Sequence, residues 1–275
     1  LRKGLVEKYY KKIGIDINVS DLIVTVAGSE SVNLAISITC DEGDEVIVLE
    51  PFYTNYNTFA FMNGLTLKAI PTDIRNGFQI PPIEEFEKAI TDKTKAILVC
   101  NPGNPTGTQY SKESMLALGE IARKHDLFLL SDEVYREFCY TDEPHFSAMN
   151  IPGLEQNVVL IDSVSKRYNL CGARVGCIIS HNKDVMTAAM KFAQARLCPP
   201  VLGQRASIGA LDTPDEYFTA VKEEYIKRRD FMIEGLNKME GVFTPVPMGA
   251  FYTIAELPVD DTENFSRWML ETFRI

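Results

Sequence analysis

Short apolar runs and helical patterns take turns along this chain from residue 22 to about residue 195, and that alternation constrains the fold more than any other feature. The runs cover residues 22–26, 45–49, 65–70, 95–100, 127–131, 158–162 and 174–180. They are rich in Val, Ile and Leu, and several lack polar alternation. A strand with one wet face alternates, so these runs predict strands covered on both faces, as in a parallel sheet between helices. Helices are expected between them at 30–39, 54–63, 82–90, 111–125 and 183–195, the fourth capped by Ser111 with Ser114 behind it. The order predicts an α/β domain with a mostly parallel central sheet and helices on both faces.

Beyond Leu197 the strand signal fades. Residues 214–239 read as one long helix, acidic in its first turns and basic later, as the helix dipole favours. Residues 242–244 and 250–255 read as two short strands, and a terminal helix is built on Phe265, Trp268, Met269 and Phe273. The chain opens in an amphipathic helix marked by Leu1, Leu5, Tyr9 and Ile13. Neither end reads as a finished element, so a piece of a longer protein is expected. Its division would be a large domain over 1–233 and part of a smaller α+β domain over 234–275.

Charge and cysteine usage narrow the function classes. The net charge of −10 argues against a nucleic-acid surface, which needs clustered Lys and Arg. No apolar run reaches the length of about 18 residues that spans a bilayer, and no leader pattern opens the chain. The six cysteines are scattered and form no C-x-x-C, which fits reduced thiols and a cytoplasmic protein. The three histidines stand far apart, with no H-E-x-x-H and no G-x-S-x-G, so no metal site is expected.

Open parallel sheets bind ligands beyond the carboxyl ends of their strands. The residues after the expected strands are Gly28-Ser29-Glu30, Pro51-Phe52-Tyr53, Asn101 to Gly107, Asp132-Glu133-Val134-Tyr135 and Ser163-Val164-Ser165-Lys166. Polar and aromatic groups therefore converge on one sheet edge. Each also has a plain structural reading. Gly28-Ser29 can be a simple turn, Asp132 a strand-end cap, Asn104 a turn residue between prolines, Tyr53 and Tyr135 core aromatics, and Lys166 a surface lysine.

Asn-Pro-x-Asn-Pro-Thr-Gly, then Ser-Asp-Glu-Val-Tyr, then Ser-x-Ser-Lys with Arg174 eight residues past Lys166, in this order, resembles the fold-type I pyridoxal-phosphate aminotransferases of class I/II, near their aspartate aminotransferases. The resemblance covers essentially the whole chain. It implies that Lys166 forms a Schiff base with pyridoxal 5'-phosphate and shuttles a proton at the substrate Cα, which needs an amine whose pKa burial and nearby cations lower. Asp132 would pair with the protonated pyridine nitrogen. Tyr135 and Asn104 would hydrogen-bond the ring's phenolic oxygen, with a cis peptide at Asn104–Pro105. Gly28, Ser29 and the backbone N–H of Glu30 would hold the phosphate at a helix start, helped by Ser163 and Arg174. Tyr53 would stack on the ring.

The same resemblance puts the arginine that grips the substrate carboxylate beyond residue 275, and a tyrosine from a neighbouring subunit upstream of Leu1. Arg267 and Arg274 do not sit in that arginine's motif. It implies a homodimer acting on amino acid and 2-oxo acid substrates, with aspartate and 2-oxoglutarate the leading pair. Lys166 and Asp132 would equally serve a C–S β-lyase or a synthase of the same fold. A ligand-sensing regulator with an aminotransferase-like domain would need a basic DNA-binding module upstream, and none is visible.

Overall fold

All seven apolar runs become strands of one sheet. The computed structural model describes residues 1–275 and contains β1 (Leu22–Thr25), β2 (Glu45–Glu50), β3 (Thr66–Pro71), β4 (Thr94–Cys100), β5 (Phe128–Asp132), β6 (Val158–Ser163) and β7 (Gly176–Ile179). Their order across the sheet is β1-β7-β6-β5-β4-β2-β3. β7 runs antiparallel to both neighbours, and the other pairings are parallel. The helices are α1 (Arg2–Gly4), α2 (Ala27–Thr39), α3 (Asn55–Met62), α4 (Ile83–Ala89), α5 (Lys112–Lys124), α6 (Val164–Arg167), α7 (Lys183–Arg196), α8 (Val201–Ala210), α9 (Asp215–Asn237) and α10 (Thr262–Phe273). No helix is long and apolar enough to cross a membrane.

The unbroken apolar runs have a direct cause. Successive strand residues face opposite sides, and both sides are covered. On one, Ile47, Ile97, Leu129 and Leu160 pack with Met115 and Leu118 of α5 and with Tyr9 and Tyr10. On the other, Val48, Leu98, Leu130 and Ile161 pack with Val32 and Ile36 of α2 and Val185 of α7. Side chains of this size contribute roughly 1.5–3 kcal/mol each when fully buried. The cap on α5 is as expected, with the Ser114 N–H donating to Ser111 Oγ at 3.2 Å.

Four details differ from the sequence expectation. Helix α2 begins at Ala27, three residues early, so Gly28 and Ser29 lie inside its first turn. The strands expected at 242–244 and 250–255 do not form; only isolated bridges join Phe243 to Glu256 and Cys139 to Gly249. Those residues have no long partner strand to pair with. Helix α8 had no clear periodic signal, because it keeps Val201 and Leu202 exposed. The opening helix turns π-helical over Leu5–Tyr10 and ends there. Leu5, Tyr9 and Tyr10 are buried by it, and Ile13 falls outside.

The topology decides what meets at one edge. β1, β4, β5 and β6 all run the same way, so Val26, Asn101, Glu133 and Val164 leave the sheet on the same side. β7 runs the other way, so the residues before it, Arg174 among them, arrive at that same side. The junction is tight at Gly176: a Cβ there would lie 2.6 Å from the Ala27 carbonyl carbon and 2.8 Å from the Asp162 carbonyl oxygen.

Candidate active site

A cavity of about 280 Å³ opens at that edge. Of the ten residues expected in the site, nine line it: Gly28, Ser29, Tyr53, Asn104, Asp132, Tyr135, Ser163, Lys166 and Arg174. Glu30 is the exception. Its carboxylate folds back to accept from the N–H of Val26, the residue that precedes α2, at 2.5 Å and from Arg196 Nε at 2.8 Å, and it does not line the cavity.

Lys166 sits on α6, directly after β6. Its Nζ meets aromatic faces, 6.0 Å from the Tyr135 ring centre and 5.8 Å from that of Phe251, and no carboxylate pairs with it. Its neighbour Arg167 points the other way. Arg167 Nη2 donates to both oxygens of Asp162, at 2.8 and 2.6 Å, and Tyr10 donates to Asp162 at 2.6 Å. Burial pushes the Asp162 carboxyl up, but Arg167 and Arg136 outweigh it and hold it below the ordinary range. This buried ion pair anchors the short turn that presents Lys166.

Asp132 ends β5 and is nearly buried. Its carboxylate accepts from the Tyr56 hydroxyl at 2.9 Å and from the Val134 N–H at 3.3 Å. Burial raises its pKa to about 6, against those two hydrogen bonds, and no cation pairs with it. A buried carboxylate in that condition gains from a cation placed beside it.

The far end of the cavity suits an anion. The first turn of α2 carries free backbone N–H groups and the positive end of a helix dipole, with Gly28 and Ser29 at the cavity wall. Arg174 stands at the mouth, its Nη1 donating to the Cys171 carbonyl at 3.0 Å. Ser163 caps α6, and its single proton is shared between Ser165 Oγ at 2.7 Å and the Val175 carbonyl at 3.0 Å. The Ser165 hydroxyl lines the same cavity and keeps its proton free to donate.

On the third side, Asn104 Nδ2 donates to the Tyr135 hydroxyl at 3.3 Å, and Tyr135 and Tyr252 hydroxyls lie 2.9 Å apart. The Asn104–Pro105 peptide is cis, as are Asn101–Pro102 and Glu50–Pro51. Tyr53 lines the wall, edge-on to Tyr56 at 5.5 Å. A second cavity of about 220 Å³ shares Ser165, Lys166 and Cys171 with the first and is walled by Phe138, Tyr225 and Phe251.

Sequence reasoning missed Tyr56, Ser165, Cys100 and Tyr252. Tyr56 was within reach, one helical turn past Tyr53, and Ser165 lay inside a motif already noted. Tyr252 had no local signal, because more than a hundred residues separate it from its partner.

Comparison with known proteins agrees with this geometry. The aminotransferase class I and II family pattern matches residues 1–275. A putative aminotransferase of Bacillus subtilis, YugH, is 35% identical over 240 residues, covering 86% of this chain and 61% of that protein. The aspartate/prephenate aminotransferase of Thermus thermophilus is 32% identical over 259 residues, covering 93% of this chain and 66% of that one. The solved structure of an alanine aminotransferase from Pyrococcus furiosus superposes with a TM-score of 0.90 at 32% identity, over 98% of this chain and 70% of that one. The chain thus spans 61% and 66% of the length of these two curated relatives. Members of the family use pyridoxal 5'-phosphate. With the family pattern running from the first residue to the last over an edge built as described, this chain belongs to the class I and II aminotransferases.

Proposed function

We propose that this chain forms the cofactor-binding part of an aminotransferase that moves the amino group of an amino acid, aspartate first, to a 2-oxo acid such as 2-oxoglutarate. One observation carries the reading. An amine without an ionic partner, a buried carboxylate without a cation and a helix N-terminus beside an arginine all face one cavity.

These groups fit pyridoxal phosphate. Asp132 would face the ring nitrogen, whose proton its carboxylate keeps in place. The N–H groups of Gly28 and Ser29, the Ser165 hydroxyl and Arg174 would hold the phosphate. Asn104 and Tyr135 would face the phenolic oxygen, Tyr53 the ring face, and Lys166 the aldehyde. The bound cofactor supplies an electron sink for charge developing at the substrate Cα. Lys166 then takes the proton from that Cα, as a positioned general base. Its amine stands near the ring faces of Tyr135 and Phe251, at 6.0 and 5.8 Å from their centres.

The aromatic walls of the neighbouring cavity favour a second reading, in which an aromatic amino acid is the donor. Phe138, Tyr225 and Phe251 offer rings to its side chain and no cation to a second carboxylate.

We also read the protein as a cytoplasmic homodimer, with residues 1–233 as its large domain and 234–275 as part of a smaller one. Homodimers are typical of the family. Val201 and Leu202 stand exposed on α8, where Gly203 packs against the Ala173 backbone next to Arg174. All six cysteines are free, which suits a reducing compartment. Helix α10, in the smaller part, buries none of its residues.

The test is the visible absorption spectrum of the purified protein with pyridoxal phosphate, followed while L-aspartate and then L-phenylalanine are added. A yellow band that gives way to a near-ultraviolet band with aspartate supports the first reading, and with phenylalanine alone the second. Release of pyruvate and ammonia instead would move the chain to the lyases. No band at all would sink the cofactor assignment.

A further inference from the structure

Tyr252 belongs to no motif, yet its hydroxyl meets that of Tyr135 at 2.9 Å inside the cavity and has no other partner in the chain. The approach is built by the backbone. Met248 and Gly249 N–H groups both donate to the Gly107 carbonyl at 2.8 Å, and the Ala250 N–H donates to the Phe138 carbonyl at 2.8 Å. Two glycines make room for this segment. A Cβ on Gly107 would lie 2.6 Å from the Tyr252 carbonyl oxygen, and one on Gly249 would lie 2.6 Å from Pro102 Cβ. So the closing glycine of Asn-Pro-x-Asn-Pro-Thr-Gly admits the segment that carries Tyr252. The same loop carries Asn104, which donates to the same Tyr135 oxygen at 3.3 Å.

We propose that Tyr252 is a positioning residue for Tyr135, its hydroxyl donating to the Tyr135 oxygen so that the one Tyr135 proton is directed at the phenolic oxygen of the cofactor. The inference rests on the cofactor reading above. Each phenol has a single proton. An anionic oxygen is a stronger acceptor than a second phenol. With the cofactor in place the Tyr135 proton goes to it, and the Tyr252 proton is then the one left to fill the Tyr135 lone pair. Hydrogen bonds in such a chain polarise one another, so the donor at the cofactor is strengthened.

Other charges reach this pair of hydroxyls from each packed element. Asp132 and Cys100 face it from the strand ends, Lys166 and Arg174 from the turn between β6 and β7, and Tyr53 from before α3. Tyr225, Arg228 and Arg229 of α9 stand behind Tyr252. All of them are unchanged in a Tyr252→Phe protein, so a shift in that variant reports the lost hydroxyl.

The experiment is a pH titration of the visible band in the protein loaded with pyridoxal phosphate, for the native chain, Tyr252→Phe, Tyr135→Phe and the double variant. Stronger donation to the phenolic oxygen lowers the pH midpoint of the band, so Tyr252→Phe raises it, by about half a pH unit. In the Tyr135→Phe background the second substitution adds nothing. A midpoint that stays or falls in Tyr252→Phe, or two shifts that simply add, would overturn the proposal. A native protein that takes up no cofactor would instead overturn the reading beneath it, so the two failures are distinct. Tyr252→Phe keeps the ring contacts with Tyr135 and Phe251. Should it not fold, Tyr252→Leu reads the same midpoint.

Discussion

Arg167 grips Asp162 with a single amino group, Nη2, which lies 2.8 Å from one carboxylate oxygen and 2.6 Å from the other. Both side chains are 1% exposed. The residue before Arg167 is Lys166. A buried ion pair therefore fixes the backbone turn whose next side chain back reaches into the cavity. Tyr9 adds to the clamp, with the Arg167 guanidinium 3.6 Å above its ring centre.

Arg167→Leu should destabilise the fold by about 3–5 kcal/mol, because it strands a buried carboxylate whose remaining cation, Arg136, lies 3.6 Å away. Urea unfolding at neutral pH measures this. A loss below about 1 kcal/mol, the scale of an exposed pair, would show that Asp162 finds water or another donor.

Asp132 makes stability depend on pH with a definite sign. Its pKa rises from 3.8 to about 6 through burial, so the folded protein holds the proton more tightly than the unfolded chain does. Its contribution is most favourable below pH 4 and is lost as pH climbs through about 6. Without cofactor, Asp132→Asn should thus be more stable than the native chain at pH 7.5 by on the order of 2 kcal/mol. The gap should close by pH 4. Cofactor affinity should move the opposite way, since the variant offers no charge to a ring nitrogen. Equal unfolding midpoints for the two proteins at pH 7.5 would refute the burial argument.

Lys166→Ala should take up pyridoxal phosphate without the visible band of the native protein and lose at least about a thousandfold in turnover. Absorbance and a coupled transaminase assay report the two. Retained turnover would remove Lys166 from its role.

Two glycines should respond in opposite directions to alanine. Gly176→Ala drives a Cβ to 2.6 Å from the Ala27 carbonyl carbon, where two strands and a helix start converge. The overpacking should cost about 1–3 kcal/mol. Gly235 is an exposed residue of α9 with nothing within 4 Å of a built Cβ, so Gly235→Ala should stabilise by about 0.5–1 kcal/mol. Paired thermal melts decide this, and a shift of the same sign in both would refute it.

Much of the site was legible because its residues sit in short motifs at strand ends. Asp132, Ser163 and Lys166 follow apolar runs too uniform to be anything but covered strands, and the sheet rule then points at their ends. Arg174 is less obvious, since it precedes its strand. Only the antiparallel run of β7 brings it to the same edge. Glu30 is the converse case. Only its backbone N–H was expected at the anion site, and the fold adds what no short stretch shows: its carboxylate is held by the Val26 N–H and by Arg196 from the end of α7.

The amino-acid sequence by itself determined the strands, the helices between them and the chemical groups at the strand ends, because periodicity and turn chemistry act over a few residues. It determined the family for the same reason, through motifs that are local and ordered. Tertiary structure alone decided what those groups meet. It set Asp132 against Tyr56, buried Arg167 on Asp162 with its guanidinium over the Tyr9 ring, freed Ser165 while engaging Ser163, and carried Tyr252 across the chain to Tyr135. Such contacts depend on register, on strand direction and on the space two glycines leave at Gly107 and Gly249, and none of these is written in any short stretch of residues.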